Sequence, residues 1–148
     1  MEFIIGLTLA VAVGLFATAV GLDKDRSFYP TITIVIASLY VLFAVMGQST
    51  HALLIELVIC AGFVIAAVAG FKGSLWIVVG ALAGHGLQDF VHTLYIPNPG
   101  VPVWWPGFCG MYDVAAAVYL AWLIRIGRVR ASGDPLIALD TTATHSGE

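Results

Sequence analysis

Residues 10–22 read AVAVGLFATAVGL, a stretch with no charged side chain and no alternation of apolar and polar positions. A strand of a membrane β-barrel alternates over about ten residues, whereas a membrane-spanning helix needs roughly 20 mostly apolar residues. Because the apolar run continues on its N-terminal side, it is long enough for such a helix. The stretch therefore predicts a transmembrane α-helix and argues against a barrel.

The rest of the chain has the same character. Of its 148 residues, 60% are hydrophobic and only 10% are charged, whereas a soluble domain carries about 25% charged residues. Five apolar runs are long enough to span a membrane: Phe3–Leu22, Tyr29–Gly47, Ala52–Phe71, Ser74–Tyr95 and Phe108–Ile126. Their short connections predict one all-α domain over residues 1–127, a polytopic five-transmembrane-helix up-down bundle. Residues 128–148 form a polar tail that we expect to be mobile.

The positive charges predict how this bundle is oriented. Cytoplasmic loops are enriched in lysine and arginine. The six such residues fall between helices 1 and 2, between helices 3 and 4, and at or after the end of helix 5: Lys24, Arg26, Lys72, Arg125, Arg128 and Arg130. In a five-helix protein these places share one side. The N-terminus is therefore predicted to lie outside, and the C-terminus and tail in the cytoplasm.

The connection before helix 5, IPNPGVPVWWPG (residues 96–107), contains four prolines, which prevent a continuing helix and stiffen the loop. Trp104 and Trp105 are typical of the aromatic belt at a membrane surface. Two interpretations remain open at this point. The loop is either a rigid anchor at the outer face or a lid over a site beneath it.

Polar residues interrupt the apolar pattern in GHGLQDFVH, residues 84–92. His85, Gln88, Asp89 and His92 have the spacing i, i+3, i+4 and i+7, so they share one face of helix 4. Other polar residues fall at the same depth, in the outer half of the bundle. They come from the start of helix 3 and of helix 5 and are His51, Glu56, Tyr112 and Asp113. The sequence therefore predicts that these groups converge.

Convergence would place three carboxylates inside a dry bundle, where they cannot all stay ionised and unpaired. Protonation, the histidines, water or a metal ion must neutralise them. Histidine nitrogen and carboxylate oxygen suit zinc, iron or manganese. We predict that His85, Asp89 and His92 hold a divalent metal, zinc or iron, with Glu56 or Asp113 as a further ligand or as general base toward a metal-bound water. His51, Gln88 and Tyr112 complete the predicted polar cluster.

The two histidines limit how such a site can be built. His85 and His92 lie about 10.5 Å apart along the helix axis, so one histidine with Asp89 and a carboxylate from a neighbouring helix is the easier arrangement. Haem is disfavoured, because both histidines project from the same helix face and cannot clamp one iron. Cys60 and Cys109 are expected to be small packing residues, not ligands or a disulfide.

Three classes of function fit these features. The first is a membrane metalloprotein, a hydrolase or oxidoreductase that acts on a lipid-like substrate. The second is a small transport or proton-relay protein that uses the same residues, and the third is a structural or assembly subunit. The lipid bilayer is the expected partner, with a homo-oligomer left open. No basic patch indicates nucleic-acid binding.

Three strings of the sequence resemble a group of small uncharacterised bacterial integral membrane proteins: DKDRSFYPT (residues 23–31), HGLQDFVH (85–92) and NPGVPVWWPGFCGMYDVAAAVYLAWL (98–123). The resemblance extends to about Gly127 and implies a multi-pass protein of the bacterial inner membrane, without an activity. The chain is also similar, more faintly, to the ceramidase-type membrane hydrolases, whose intramembrane zinc is bound by histidines near an aspartate and a serine. It departs from them in having five predicted helices instead of seven, and no serine beside its cluster.

Overall fold

The structure, a computed structural model, describes residues 1–130, and most of these residues are helical. The five long helices are α1 (Glu2–Val20), α2 (Phe28–Met46), α3 (Thr50–Lys72), α4 (Leu75–Tyr95) and α5 (Trp105–Arg125), with a short 3₁₀ turn at Leu22–Lys24. The prediction of an all-α fold with five helices is confirmed. The prediction of a mobile cytoplasmic tail falls mostly on residues 131–148 and so lies outside the described residues.

Local sequence signals account for several of the helix ends. Gly21, with φ 84°, adopts the left-handed conformation that ends α1. The Ser49 hydroxyl accepts a hydrogen bond from the Ala52 backbone N–H at the start of α3. Helix α5 begins three residues earlier than predicted, at Trp105. Pro106 does not prevent this, because the first helical turn has no need of its missing N–H.

Four of the helices, α1, α2, α3 and α5, are long and apolar enough to cross a membrane. Helix α4 has 21 residues, a sufficient length, but its histidines, Gln88 and Asp89 make it less apolar than the others. The helices therefore indicate a multi-pass membrane protein. Of the five predicted spanning segments, four have the length and composition that crossing a membrane requires. The insertion of α4 and the orientation of the bundle stay predictions.

Helix α4 packs against α5 and α3 and also against α2, while α1 packs mainly against α5 and touches α4 where the Phe3 and Phe90 rings stack. Helices α4 and α5 approach closely where Gly86 faces Gly110. A Cβ atom added at Gly86 would lie 2.8 Å from the Gly110 carbonyl oxygen, and one at Gly110 would lie 2.9 Å from the Gly86 oxygen. Glycine at both positions brings together the two helices that carry most of the polar side chains.

Arginine side chains fasten one end of the bundle, which we call the basic end (residues 18–29, 70–73 and 119–130). The Arg26 guanidinium donates to the carbonyl oxygens of Phe71 and Gly73, each at 3.0 Å, and so caps the C-terminus of α3. Arg128 donates to the Thr18 carbonyl oxygen at 2.9 Å. In the loop before α2, the exposed Asp25 carboxyl accepts a hydrogen bond from the Ser27 backbone N–H. This bond, and next to it one from the Ser27 side chain, lowers the pKa of Asp25 below its usual value.

Candidate metal centre

Helix α4 presents its polar residues to the interior of the bundle. His85, Asp89 and His92 are buried, while Leu87, Phe90 and Val91 on the other side of the helix are exposed. Gln88 lies at the boundary and is half-buried. The 3.6-residue period of the helix thus separates a polar inner face from an apolar outer face, as the spacing predicted.

Four side chains from two helices form what we call the central group: His85 and Asp89 from α4, and Cys109 and Asp113 from α5. His85 Nδ1 lies 2.7 Å from Asp113 Oδ2 and 3.6 Å from Asp89 Oδ2. The Cys109 thiol donates to Asp113 Oδ2 across 3.9 Å. One nitrogen, sulfur or oxygen atom from each residue lies within 4.8 Å of the others, so these atoms could surround one metal ion.

The carboxylates of the central group are poorly satisfied by the protein. Asp89 and Asp113 are both 0% exposed. In the described part of the chain, neither Asp89 oxygen nor Asp113 Oδ1 has a hydrogen-bond partner. No lysine or arginine among residues 1–130 pairs with either side chain, since His85 is their only basic neighbour. Buried polar atoms are normally bonded, so these oxygens call for a proton, a water or a cation.

A second set of side chains, the loop-side group, consists of Glu56 from α3, His92 from α4 and Asn98 from the loop before α5. His92 Nε2 lies 2.8 Å from Glu56 Oε1. The Asn98 amide donates to the same oxygen at 3.0 Å and to the Tyr40 carbonyl oxygen at 3.1 Å. The loop of residues 96–104 therefore contributes to the buried network through the Asn98 side chain. Its two interpretations, an anchor at the outer face or a lid, stay predictions.

Tyr40 of α2 lies between the two groups. It is 2% exposed, and its ring stacks on His92 with the centroids 4.1 Å apart. The same ring centroid is 5.9 Å from that of His85. The Tyr40 hydroxyl is buried near the Asp89 carboxylate and, within residues 1–130, has no hydrogen-bond partner of good geometry. The two groups therefore belong to one buried polar region.

The structure brings together most of the residues that the sequence singled out, but in two groups. His85, Asp89 and Asp113 meet, which is the easier arrangement of one histidine with Asp89 and a neighbouring carboxylate. His92 and Glu56 pair with each other, and neither is among the four residues whose ligand atoms lie within 4.8 Å. The catalytic and ligand roles assigned to these side chains stay predictions.

Two residues of the predicted cluster lie elsewhere. His51 is exposed at the start of α3 and belongs to neither group. Tyr112 is half-buried and packs against the apolar core. The sequence predicts both residues in the polar cluster only because they fall at the same depth in the bundle as the other members. Depth alone does not determine the direction in which a side chain points, and this explains the difference.

Three members of the polar region were not predicted from the sequence. Cys109 was expected to pack only, yet its thiol lies beside Asp113; the i, i+4 spacing to Asp113 would have indicated a shared face. Asn98 stands in a proline-rich turn, which gave no reason to expect a buried side chain. Tyr40 lies in an apolar helix where only the tertiary packing distinguishes it from Tyr29.

Comparison of the chain with protein-family models, with curated proteins and with solved structures found no match. The candidate function therefore rests on the chemistry of the buried groups.

Proposed function

We propose that the protein is a membrane-embedded metalloprotein that holds one divalent ion, zinc or iron, in the central group. One observation carries the proposal. Asp89 is fully buried and neither of its carboxylate oxygens accepts a hydrogen bond of good geometry from residues 1–130. Its nearest donors are His85 Nδ1, at 3.6 Å, and the Tyr40 hydroxyl, and its carboxylate lies within 4.8 Å of a histidine nitrogen and a second carboxylate. Nitrogen and oxygen ligands of this kind suit both metals.

Charge balance supports an ion in this position. Two ionised carboxylates carry two negative charges, and an isolated charge near the middle of a membrane costs about 2.5–3.5 kcal/mol on insertion scales. A protonated His85 would offset only one of them. A divalent cation offsets both and also supplies the partner that the Asp89 oxygens lack.

We further propose that the ion activates water to hydrolyse a lipid-like substrate in a bacterial inner membrane. A shallow apolar groove of about 230 Å³, open at the surface between α3 and α4, supports this substrate class; it is lined by Ile59, Gly62, Phe63, Ala66 and Ala81. The Phe63 ring is also in edge contact with His85, with centroids 4.8 Å apart. An ion held by the central group would supply a nucleophilic water at neutral pH. Iron in place of zinc would make an oxidoreductase the better assignment.

The test is elemental analysis of protein purified without added metal. We expect close to one zinc or iron per chain in the wild type and at least tenfold less in Asp89→Asn, which keeps the size of the side chain but removes its charge. Asp25→Asn is the matched control, because Asp25 is exposed in the loop before α2, and it should retain the ion. Less than about 0.1 ion per chain in gently purified wild type, with a melting temperature insensitive to chelator, would contradict the proposal.

A proton relay is the second candidate, favoured by a different observation. The region contains two histidine–carboxylate pairs, at 2.7 and 2.8 Å, with the Tyr40 ring near both histidines. Side chains arranged in this way occur in proton pathways of membrane proteins. If the relay is the function, the purified protein contains no stoichiometric metal, and Asp89→Asn abolishes proton uptake in reconstituted vesicles while the wild type supports it.

A further inference from the structure

The polar region indicates which atoms would complete the coordination of the ion. We propose that the ion binds three protein ligands, His85, Asp89 and Asp113, and that its fourth position is taken by a water held by the Tyr40 hydroxyl and His92 Nδ1. Cys109 stays a neutral thiol beside the ion. This inference rests on the proposed function, because without an ion there is no fourth position.

The first argument concerns Cys109. A divalent ion with two carboxylates and a neutral imidazole has no net charge, whereas a Cys109 thiolate as fourth ligand would leave one negative charge. An uncompensated charge inside a helix bundle is costly. The position of the thiol also agrees with a neutral role, since its sulfur donates to Asp113 Oδ2 across 3.9 Å. A hydrogen bond of this kind orients Asp113 as a ligand of the ion, while Cys109 itself does not bind the ion.

The second argument concerns two buried polar atoms with no partner in the described chain, the Tyr40 hydroxyl and His92 Nδ1. Both residues are 2% exposed, and their rings stack, so the two side chains are neighbours. The hydroxyl is near Asp89. A water bound to the ion has one lone pair left, with which it accepts from the tyrosine O–H, and it donates to His92 Nδ1, the acceptor nitrogen of a neutral imidazole whose Nε2–H donates to Glu56. Buried waters typically make about three such bonds.

The third argument concerns the orientation of His92. Its other ring nitrogen, Nε2, lies 2.8 Å from Glu56 Oε1, and Asn98 holds the same oxygen at 3.0 Å. A carboxylate that fixes one nitrogen of a histidine determines where the other nitrogen points. His92 would therefore be a positioning residue beside the ion and not a ligand on it.

Three protein ligands and a water are typical of catalytic zinc, whereas four protein ligands are typical of structural zinc. The presence or absence of the proposed water therefore distinguishes a catalytic metal site from one that only stabilises the bundle.

The test uses full-length protein in which Co²⁺ or Mn²⁺ replaces the native ion. Pulsed electron paramagnetic resonance in D₂O is expected to show coupling of the ion to exchangeable deuterons of one bound water. Tyr40→Phe should keep the full ion content but shift that coupling. Tyr95→Phe is the matched control, because Tyr95 is 77% exposed, and it should give the wild-type spectrum.

Three results would overturn the inference while leaving the ion in place. They are an ion-loaded wild type with no exchangeable coupling, a Tyr40→Phe spectrum identical to wild type, and a strong sulfur-to-cobalt charge-transfer absorption that disappears in Cys109→Ala. A chain that takes up no ion at all overturns the proposed function, and the inference fails with it. Measuring ion content beside each spectrum distinguishes the two failures.

Discussion

Two aspartates in this protein are equally buried but differently surrounded. Asp23, at the basic end, and Asp89, in the central group, are each 0% exposed. Asp23 Oδ2 accepts a hydrogen bond of 2.6 Å from the Thr18 hydroxyl and lies 3.5 Å from Arg128 Nε. Asp89 has no hydrogen bond of good geometry in the described chain, and its basic neighbour there is His85, with Nδ1 3.6 Å from Oδ2.

The difference shows how a helix bundle can treat a buried negative charge. At the basic end the protein supplies its own cation, since Arg128 belongs to the cluster of arginines that follows α5. In the central group no lysine or arginine of residues 1–130 is placed to do the same. A buried charge that the protein itself does not offset is more typical of a functional site than of a structural contact.

The largest effect expected from this comparison is the response to a chelator. If an ion neutralises Asp89, it binds the folded state and stabilises the fold, by about 2.7 kcal/mol when the free ion is at 100 times its dissociation constant. A membrane-permeable chelator should therefore lower the melting temperature of detergent-solubilised wild type. Asp89→Asn, already lacking the ion, should not respond, and a chelator effect of equal size in both proteins would refute the explanation.

The next effect concerns the close approach of α4 and α5. Gly86→Ala would place a Cβ 2.8 Å from the Gly110 carbonyl oxygen and 3.0 Å from Val114 Cγ2. Overpacking of this kind costs about 1–3 kcal/mol, and it should also move His85 and Asp89 away from Asp113. We expect a lower melting temperature together with a several-fold loss of bound ion.

Gly84→Ala is the matched control for that substitution, since a Cβ there meets nothing within 4 Å. Alanine at an open helical position should be neutral or stabilising by about 0.5–1 kcal/mol. If both glycine variants keep the ion equally well, the central group does not depend on the α4–α5 approach.

The sequence was sufficient for the parts of the site that depend on helix geometry alone. His85, Asp89 and His92 share a face because of their spacing, and burial follows from their polarity among apolar neighbours. The separation into two groups could not be predicted, because it depends on tertiary contacts. Asn98 reaches Glu56 from a loop, and Tyr40 stacks on His92 from an otherwise apolar helix. Neither contact has a periodic signal.

The fold shows the same division. Apolar runs located all five helices, because the length and composition of a spanning segment are properties of the local sequence. The first turn of α5, which begins at Trp105, was not predicted, because the prolines of residues 96–107 indicated a loop up to Gly107. Proline disrupts the interior of a helix but is tolerated in its first turn. Only the structure shows that Pro106 lies in a first turn.

The smallest effect belongs to the other aspartate. Asp23→Asn keeps a side-chain oxygen that can accept from the Thr18 hydroxyl. It removes the charge facing Arg128 and replaces the other oxygen with an amide NH₂ group. The Arg128 side chain is 40% exposed, so water can solvate it once its partner is neutral, and the substitution leaves no buried charge without a partner. We therefore expect a small fall in melting temperature and an unchanged ion content by elemental analysis. Loss of the ion in Asp23→Asn would mean that the two buried aspartates are not independent, and the contrast between the basic end and the central group would then fail.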